Sequence, residues 1–362
     1  MYGADRVVLE LVPVLHNLWP AARVECWIPD DLDYPERRLS AALGALGVHV
    51  QIREMPVLRR AYVNPKGFFT RVRSFKRLGT TAGFERSDLV YITTSAMLAV
   101  APLARLRGSR VVCHLHEHWG MFETMVLTGP LLACRRVFCV SNAVLSALPH
   151  AVRKRCTVVH NGFAIERGKD RTKTDNSTLE NSRHTAIGLL MASRWNSWKG
   201  HQVLFDAFDQ VKRDDLTLTV LGGPPPSGEA ADIVAMVAGM RRKNAVSIVG
   251  EVSSAEAYIE SCDAVVVPSV SFDPLPTIAI EACAKGRAVI GSDVGGLPEI
   301  IDSRESGYLV CAGDRSAWTA VFEGLNVSVL REMGSCAYER YLERFTREQF
   351  SAKMRYCLSS LD

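Results

Sequence analysis

The chain has 362 residues, 48% of them hydrophobic and 23% charged, with a formal net charge of +4, which fits a soluble globular protein long enough for two ordinary domains. No apolar run approaches the ~18 residues a membrane span needs, and Asp5, Arg6 and Glu10 stand where a signal peptide would be apolar. Ten cysteines are scattered singly without a CxxC pair, which argues against a zinc site or disulfide framework and for a reducing cytoplasm.

In chain order, the first strand candidate is "RVECWI" (23–28), followed by the acidic run "DDLD" (30–33) and a second strand, "HVQIRE" (49–54). Residues 53–77 then carry Arg53, Arg59, Arg60, Lys66, Arg71, Arg73, Lys76 and Arg77 against Glu54, with Phe68, Phe69 and Phe75 interleaved. Such a stretch is either a solvated face or a surface for anionic lipid or another polyanion. No helix-turn-helix, RRM or zinc pattern supports nucleic acid as the polyanion. Further strands are "DLVYIT" (88–93), "RVVCHLH" (110–116), "RVFCVS" (136–141) and "CTVVHN" (156–161). Residues 166–185 break the pattern: they are charged, rich in Ser, Thr and Asn, and almost without apolar side chains, as in a linker or surface loop. The charge balance changes sign there, with 21 Lys and Arg against 12 acids before residue 166 and 22 against 27 from it onward.

The strand pattern resumes with "AIGLLMAS" (186–193), "LTLTVLG" (216–222), "AVSIVG" (245–250), "AVVVPS" (264–269), "RAVIGS" (287–292) and "GYLVC" (307–311). Most are β-branched runs without alternation, as parallel strands covered on both faces require. Helical stretches fit between them, so the chain reads as α/β, doubly wound, in two Rossmann-like domains facing across a cleft. The expected boundaries are 1–165, a linker at 166–185, 186–340, and a C-terminal helix at 341–362 packing back toward the first domain.

Two loops of the second half carry chemistry. Arg194 and Lys199 flank a strand-to-helix turn, with the helix starting near 199–201; free N–H groups and the dipole at its N-terminus would complete a diphosphate cradle. Taken alone, the two read more readily as solvated loop cations. In "VSFDPLPTIAIEACAKG" the prolines favour a sharp helix start at Pro276 or Thr277, and Gly286 ends the helix. Glu281 falls one turn in, on a helix whose Ile278, Ala279, Ala282 and Cys283 are apolar. A carboxylate there needs partners. It either caps its own helix or accepts a ligand diol such as a ribose, while Asp273 in the loop would accept the hydroxyls of a second ring.

These residues resemble the retaining glycosyltransferases of family 4, which have the GT-B fold. The acidic–x7–Glu pattern is met by Asp273 and Glu281, and the "GG-x-PE" turn by Gly295, Gly296, Leu297, Pro298 and Glu299. The Arg–x4–Lys-Gly loop is met by Arg194, Lys199 and Gly200, the Asn-Gly after the last strand of the first domain by Asn161 and Gly162, and the closing stretch by "SGYLVCAGD". The match covers 156–314 in order and spacing. It departs at Asp273, where the family usually has Glu, and this bears on the choice of donor sugar. In the first half "YGADRVVLELV" resembles the Gly-rich loop and first helix, with Gly3 in the loop. "SRVVCHLHEHWG" resembles the strand end bearing the active-site histidine: His116 first, beside Glu117, with His114 and His118 as alternatives. Ser141 in "VFCVSNAV" matches the next strand.

The resemblance implies transfer of a UDP- or GDP-linked sugar, with configuration retained, to a lipid-linked or glycan acceptor in cell-envelope or exopolysaccharide synthesis. His116, Arg194, Lys199 and Asp273 would be catalytic. Gly3, Asn161, Gly162, Gly222, Gly250, Glu251, Pro274, Leu275, Pro276, Thr277 and Glu281 would bind the donor, with "GPPPSG" and Gly250-Glu251 lining the base pocket. No cofactor is expected, and no divalent metal, because Arg194, Lys199 and backbone N–H groups would neutralise the diphosphate; a metal-binding reading of "DDLD" belongs to a different fold class. The protein would be cytoplasmic, peripheral at the inner face of the membrane. A nucleotide-sugar 2-epimerase shares the scaffold, but Arg–x4–Lys with Asp–x7–Glu argues against it, and intact donor residues argue against a non-catalytic scaffold. In this fold a central strand precedes the Gly-rich loop. Gly3 follows only Met1 and Tyr2, so about ten or more further residues are expected upstream, with a slot between the strands near 23–28 and 88–93.

Overall fold

The twelve β-branched runs become twelve strands in the computed structural model, which describes residues 3–31, 38–58, 87–168, 186–225 and 230–361. They are β1 (Glu25–Pro29), β2 (His49–Arg53), β3 (Leu89–Ile92), β4 (Arg110–Leu115), β5 (Arg136–Cys139), β6 (Cys156–Val158), β7 (Ile187–Ala192), β8 (Leu216–Leu221), β9 (Val246–Gly250), β10 (Ala264–Val267), β11 (Ala288–Ser292) and β12 (Gly307–Val310). Every recorded pairing between them is parallel. Most of the basic stretch 53–77 lies outside the described residues, as do Asp33, residues 169–185 of the expected linker and residues 226–229 of the "GPPPSG" loop.

The chain divides into a unit of 1–163 with 347–362 and a unit of 164–346. In the first unit β3-β4-β5-β6 form one ladder and β1-β2 another. Val111, Val112, Cys113, Leu115, Val137 and Phe138 are buried in the larger sheet, and Val12, Leu43 and Val48 make a smaller apolar cluster beside β1 and β2. The helix Gly3–Leu18 packs along the helix Arg347–Ser359, and the Arg347 guanidinium bonds both Glu10 carboxylate oxygens, one at 2.9 Å.

The expected boundary at 341 falls inside a helix, Val327–Arg344. Tyr341 is buried there, and its hydroxyl accepts the Ile165 N–H at 3.2 Å, so the second unit keeps this residue. The chain passes to the first unit at Arg347, whose N–H reaches the Phe163 carbonyl at 3.2 Å. A boundary set by one buried tyrosine leaves no mark in local composition.

The second unit orders its sheet β12-β11-β10-β7-β8-β9. β7 and β10 are neighbours, and from them the order runs outward in opposite directions, which makes the gap between their C-terminal ends the topological switch point. Leu189, Met191, Leu218, Val266 and Ile290 fill the sheet's core with Phe205, Phe208, Trp318 and Phe322 from flanking helices. Each such side chain removed from water contributes about 1.5–3 kcal/mol, which holds the strand ends, and the loops leaving them, in fixed positions.

Candidate functional site

The loop leaving β7 carries Arg194 and continues through a 3-10 turn, Ser197–Lys199, to the helix His201–Gln210. The loop leaving β10 runs from Pro268 to Pro276, the residue before the helix Thr277–Ala284. The switch point brings the two loops together: the Val270 N–H donates to the Trp198 carbonyl at 2.9 Å. Gly200 sits between them with φ +80°, and a Cβ there would stand 1.8 Å from the Pro268 carbonyl oxygen, so the glycine of the Lys-Gly pair is a packing requirement.

Lys199 and Asp273 meet at this crossing, Nζ to Oδ2 at 2.6 Å. The Asp273 side chain is 5% exposed and that of Lys199 18%. Ser269, buried at the strand end, donates its hydroxyl to the same carboxylate oxygen at 3.0 Å. The lysine ammonium also lies 4.1 Å from the centre of the Trp198 ring. Ser269 and Trp198 complete the environment of the pair, yet neither carries a signal in the sequence, because their roles come from the strand order.

The Gly295-Gly296 turn explains why this loop is rigid. The Gly296 N–H donates to the Asp273 carbonyl at 2.8 Å. A Cβ on Gly295, whose φ is +59°, would stand 2.0 Å from that carbonyl oxygen, and one on Gly296 would stand 2.2 Å from the Pro274 oxygen. Only a pair without side chains lets the turn press this closely on the backbone of Asp273 and Pro274.

Leu275 and Pro276 are buried, Pro274 and Thr277 half-buried. Glu281 is half-buried on a helix whose Ala279, Ile280, Ala282, Cys283 and Ala284 are buried; Ile278 is only half-buried. Gly222 follows β8, its N–H donating to the Gly250 carbonyl at 2.8 Å, and Glu251 is exposed beside Gly223, where a Cβ would stand 3.4 Å from Oε2. Burial pushes the His201 imidazole down to about 4, helped by the Lys199 cation.

Most of the first unit's candidates follow the C-terminal ends of its strands. His116 follows β4, half-buried, its imidazole lowered to about 4 by burial. His114 is a residue of β4, buried, with Nδ1 3.0 Å from the Tyr91 hydroxyl and its ring centre 4.3 Å from that of His116. Burial, then its neighbour His116, holds His114 well below the ordinary imidazole range. His118 is exposed. The Glu117 carboxylate takes the Thr94 hydroxyl and the Ser95 N–H at 3.2 Å, so it holds the β3–β4 loops rather than standing ready beside His116. Asn161 is buried after β6, with no hydrogen-bond partner for Oδ1 among the described residues. Gly162 is buried beside it, Ser141 caps the helix Asn142–Ala147 through the Val144 N–H at 3.2 Å, and Gly3 opens the first helix rather than standing in a loop before it. Among the described residues no cluster of three or more His, Cys, Asp or Glu is placed to hold a metal ion.

Two parallel α/β units, one with its loops converging at a switch point, define the GT-B class of folds. A crystal structure of Anabaena HepE in complex with UDP and glucose matches with a TM-score of 0.76 at 17% identity, over 99% of this chain and 96% of its own. The model of Glycosyltransferase Family 4 matches residues 1–167 and that of Glycosyl transferases group 1 matches 186–325; the chain belongs to this glycosyltransferase family. A D-inositol 3-phosphate glycosyltransferase of Jonesia denitrificans is 30% identical over 177 residues, which is 46% of this chain and 41% of that protein. A phosphatidyl-myo-inositol mannosyltransferase of Mycobacterium leprae is 25% identical over 268 residues, 65% of this chain and 70% of that protein. The chain thus spans less than half the length of the first of these relatives.

Proposed function

We propose that the protein transfers a sugar, with retention of configuration and without a divalent metal, from a nucleotide-sugar to a lipid-linked or glycan acceptor of the cell envelope. The observation that carries this reading is the Lys199–Asp273 pair at the switch point, on the loop that also carries Arg194 and before the helix that carries Glu281. Arg194 and Lys199 neutralise the donor's diphosphate, and the N-terminus of the helix at Thr277 adds free N–H groups. Glu281 binds the ribose and Asp273 the hydroxyls of the transferred sugar. Before a donor arrives, Asp273 and Ser269 hold the Lys199 side chain over the loop, so the cation is in place when the diphosphate needs it.

In the transfer the bond from the anomeric carbon to the leaving phosphate oxygen breaks. The acceptor oxygen bonds to the same face of that carbon, and its proton passes to the leaving oxygen. No side chain is required as a base; the protein's part is preorganised charge. His116, neutral at pH 7, contributes a hydrogen bond near the reacting carbon rather than a charge. The relatives' names point to inositol phosphate and phosphatidylinositol chemistry, and that of the HepE structure to UDP and glucose, which favours UDP over GDP as the first nucleotide to try.

A panel of UDP- and GDP-sugars, read by nucleotide release with and without lipid-linked acceptor, tests the proposal. Acceptor-dependent release from one donor is expected. Conversion of the donor to an epimer without acceptor, or no binding of any nucleotide by calorimetry, would overturn it.

A further inference from the structure

The helix Met121–Leu132 is apolar on both sides. Leu127 and Leu131 are buried on its inner side, while Met121, Phe122, Met125, Val126 and Leu132 are exposed, Met121 at 91% and Met125 at 75%. Positions 121, 122, 125 and 126 fall on one helical stripe. The helix's single charged residue, Glu123, accepts the Gly120 N–H at 3.1 Å and is spent as a cap. The helix Val100–Leu106 packs alongside and adds Leu106, 84% exposed. A continuous apolar surface of this kind marks a contact with membrane or partner rather than with water.

Charge selects between them. Residues 100–163 hold eight Arg and Lys against two acids, Glu117 and Glu123. Both acids are engaged within the protein, Glu117 by Thr94 and Ser95, Glu123 by Gly120. Cations gather where the helix ends: Arg155 donates to the Leu132 carbonyl at 2.9 Å and Arg105 to the Ala133 carbonyl at 3.4 Å. A second copy of this chain on the same face would set these cations against each other. An anionic bilayer meets both features, taking the apolar side chains below its headgroups and the guanidinium groups at its surface.

We propose that the stripe of Met121, Phe122, Met125 and Val126 is a docking surface for an anionic lipid bilayer. In sequence it is separate from the basic stretch 53–77. Four residues separate Met121 from His116, so a lipid-borne acceptor held at this face is delivered to the segment carrying the histidine. The inference deepens the proposal of a lipid-linked acceptor, and its test needs no transfer reaction, so the two fail separately.

Flotation of the full chain with phosphatidylcholine vesicles, with and without phosphatidylglycerol, reads the binding directly. Partition to the anionic vesicles alone is expected, weakening as salt rises. M121D/M125D should lower it by about tenfold or more, and V234D, at an exposed apolar position of the other unit, should leave it unchanged. Because Met121 and Met125 are exposed, the double variant removes no core contact, and its thermal melt should match that of the parent. Hydrogen exchange of the unaltered protein needs no variant: anionic vesicles should protect amides of 121–132. Equal binding by neutral vesicles, undiminished binding by M121D/M125D, or protection confined to other segments overturns the proposal. So does a dimer that this double variant dissociates while no vesicle binds.

Discussion

Lys199 Nζ stands 2.6 Å from Asp273 Oδ2, and the same oxygen accepts from Ser269 at 3.0 Å, so one buried carboxylate both anchors the cation and is held by the strand end behind it. K199A should lower kcat by about 10²–10³, the range for losing one transition-state charge, and R194A by a similar factor. K199A also leaves the buried Asp273 charge without its cation, held by Ser269 alone at that oxygen, at a cost of about 1–3 kcal/mol in stability. K199A/D273N should regain most of that stability and none of the turnover. Denaturant melts set beside kcat separate the two; recovery of both together would make the pair a structural one.

The two carboxylates should divide by ligand. E281Q should weaken binding of the bare nucleotide by about 1.5–3 kcal/mol through lost charge-assisted hydrogen bonds. D273N should leave nucleotide affinity unchanged and damage turnover with the full donor. Calorimetry with UDP and GDP measures the first, and steady-state kinetics the second. Equal losses of affinity in both variants would reverse or cancel the assignment.

The Gly-Gly turn supports the Asp273 loop through its backbone, so a single methyl should disturb it. G296A places a Cβ against the Pro274 carbonyl and should cost about 1–3 kcal/mol in strain. Loss of turnover with the fold retained by circular dichroism is expected. An active G296A would mean that the loop's position is not set by this turn.

Acid should destabilise the second unit through His201. Its imidazole is lowered from an ordinary 6.5 to about 4 by burial, so the unfolded chain binds the proton more readily than the native one. The stability tied to this neutral histidine is complete above about pH 6.5 and is lost as pH falls toward 4, at most about 3 kcal/mol. His116, lowered to the same value, adds to the acid limb from the first unit. H201Q should flatten the dependence of melting temperature on pH between those limits. An unchanged acid limb in H201Q would place its cause elsewhere.

The twelve strands among the described residues were legible because a parallel strand covered on both faces is typically a short run of β-branched side chains, a local requirement. The helix bounded by Pro276 and Gly286 was legible for the same kind of reason, since proline and glycine act on their own backbone. The motif glycines could be counted but not explained: Gly200, Gly295 and Gly296 are small because of Pro268, Asp273 and Pro274, residues of other segments.

By itself the sequence determined the α/β class, the alternation of elements and which residues could carry charge to a phosphate or a sugar. The tertiary structure decided what those residues touch. β7 lies beside β10, though 71 residues separate the end of one from the start of the other, and that order alone brings Lys199 to Asp273 and Ser269. It also turned Glu117 toward Thr94, left His116 rather than His114 at the strand's end, and moved the domain boundary from 341 to 347 through Tyr341. Propensity and periodicity act over a few residues, whereas a partner is set by the order in which strands stack, to which a local pattern is blind.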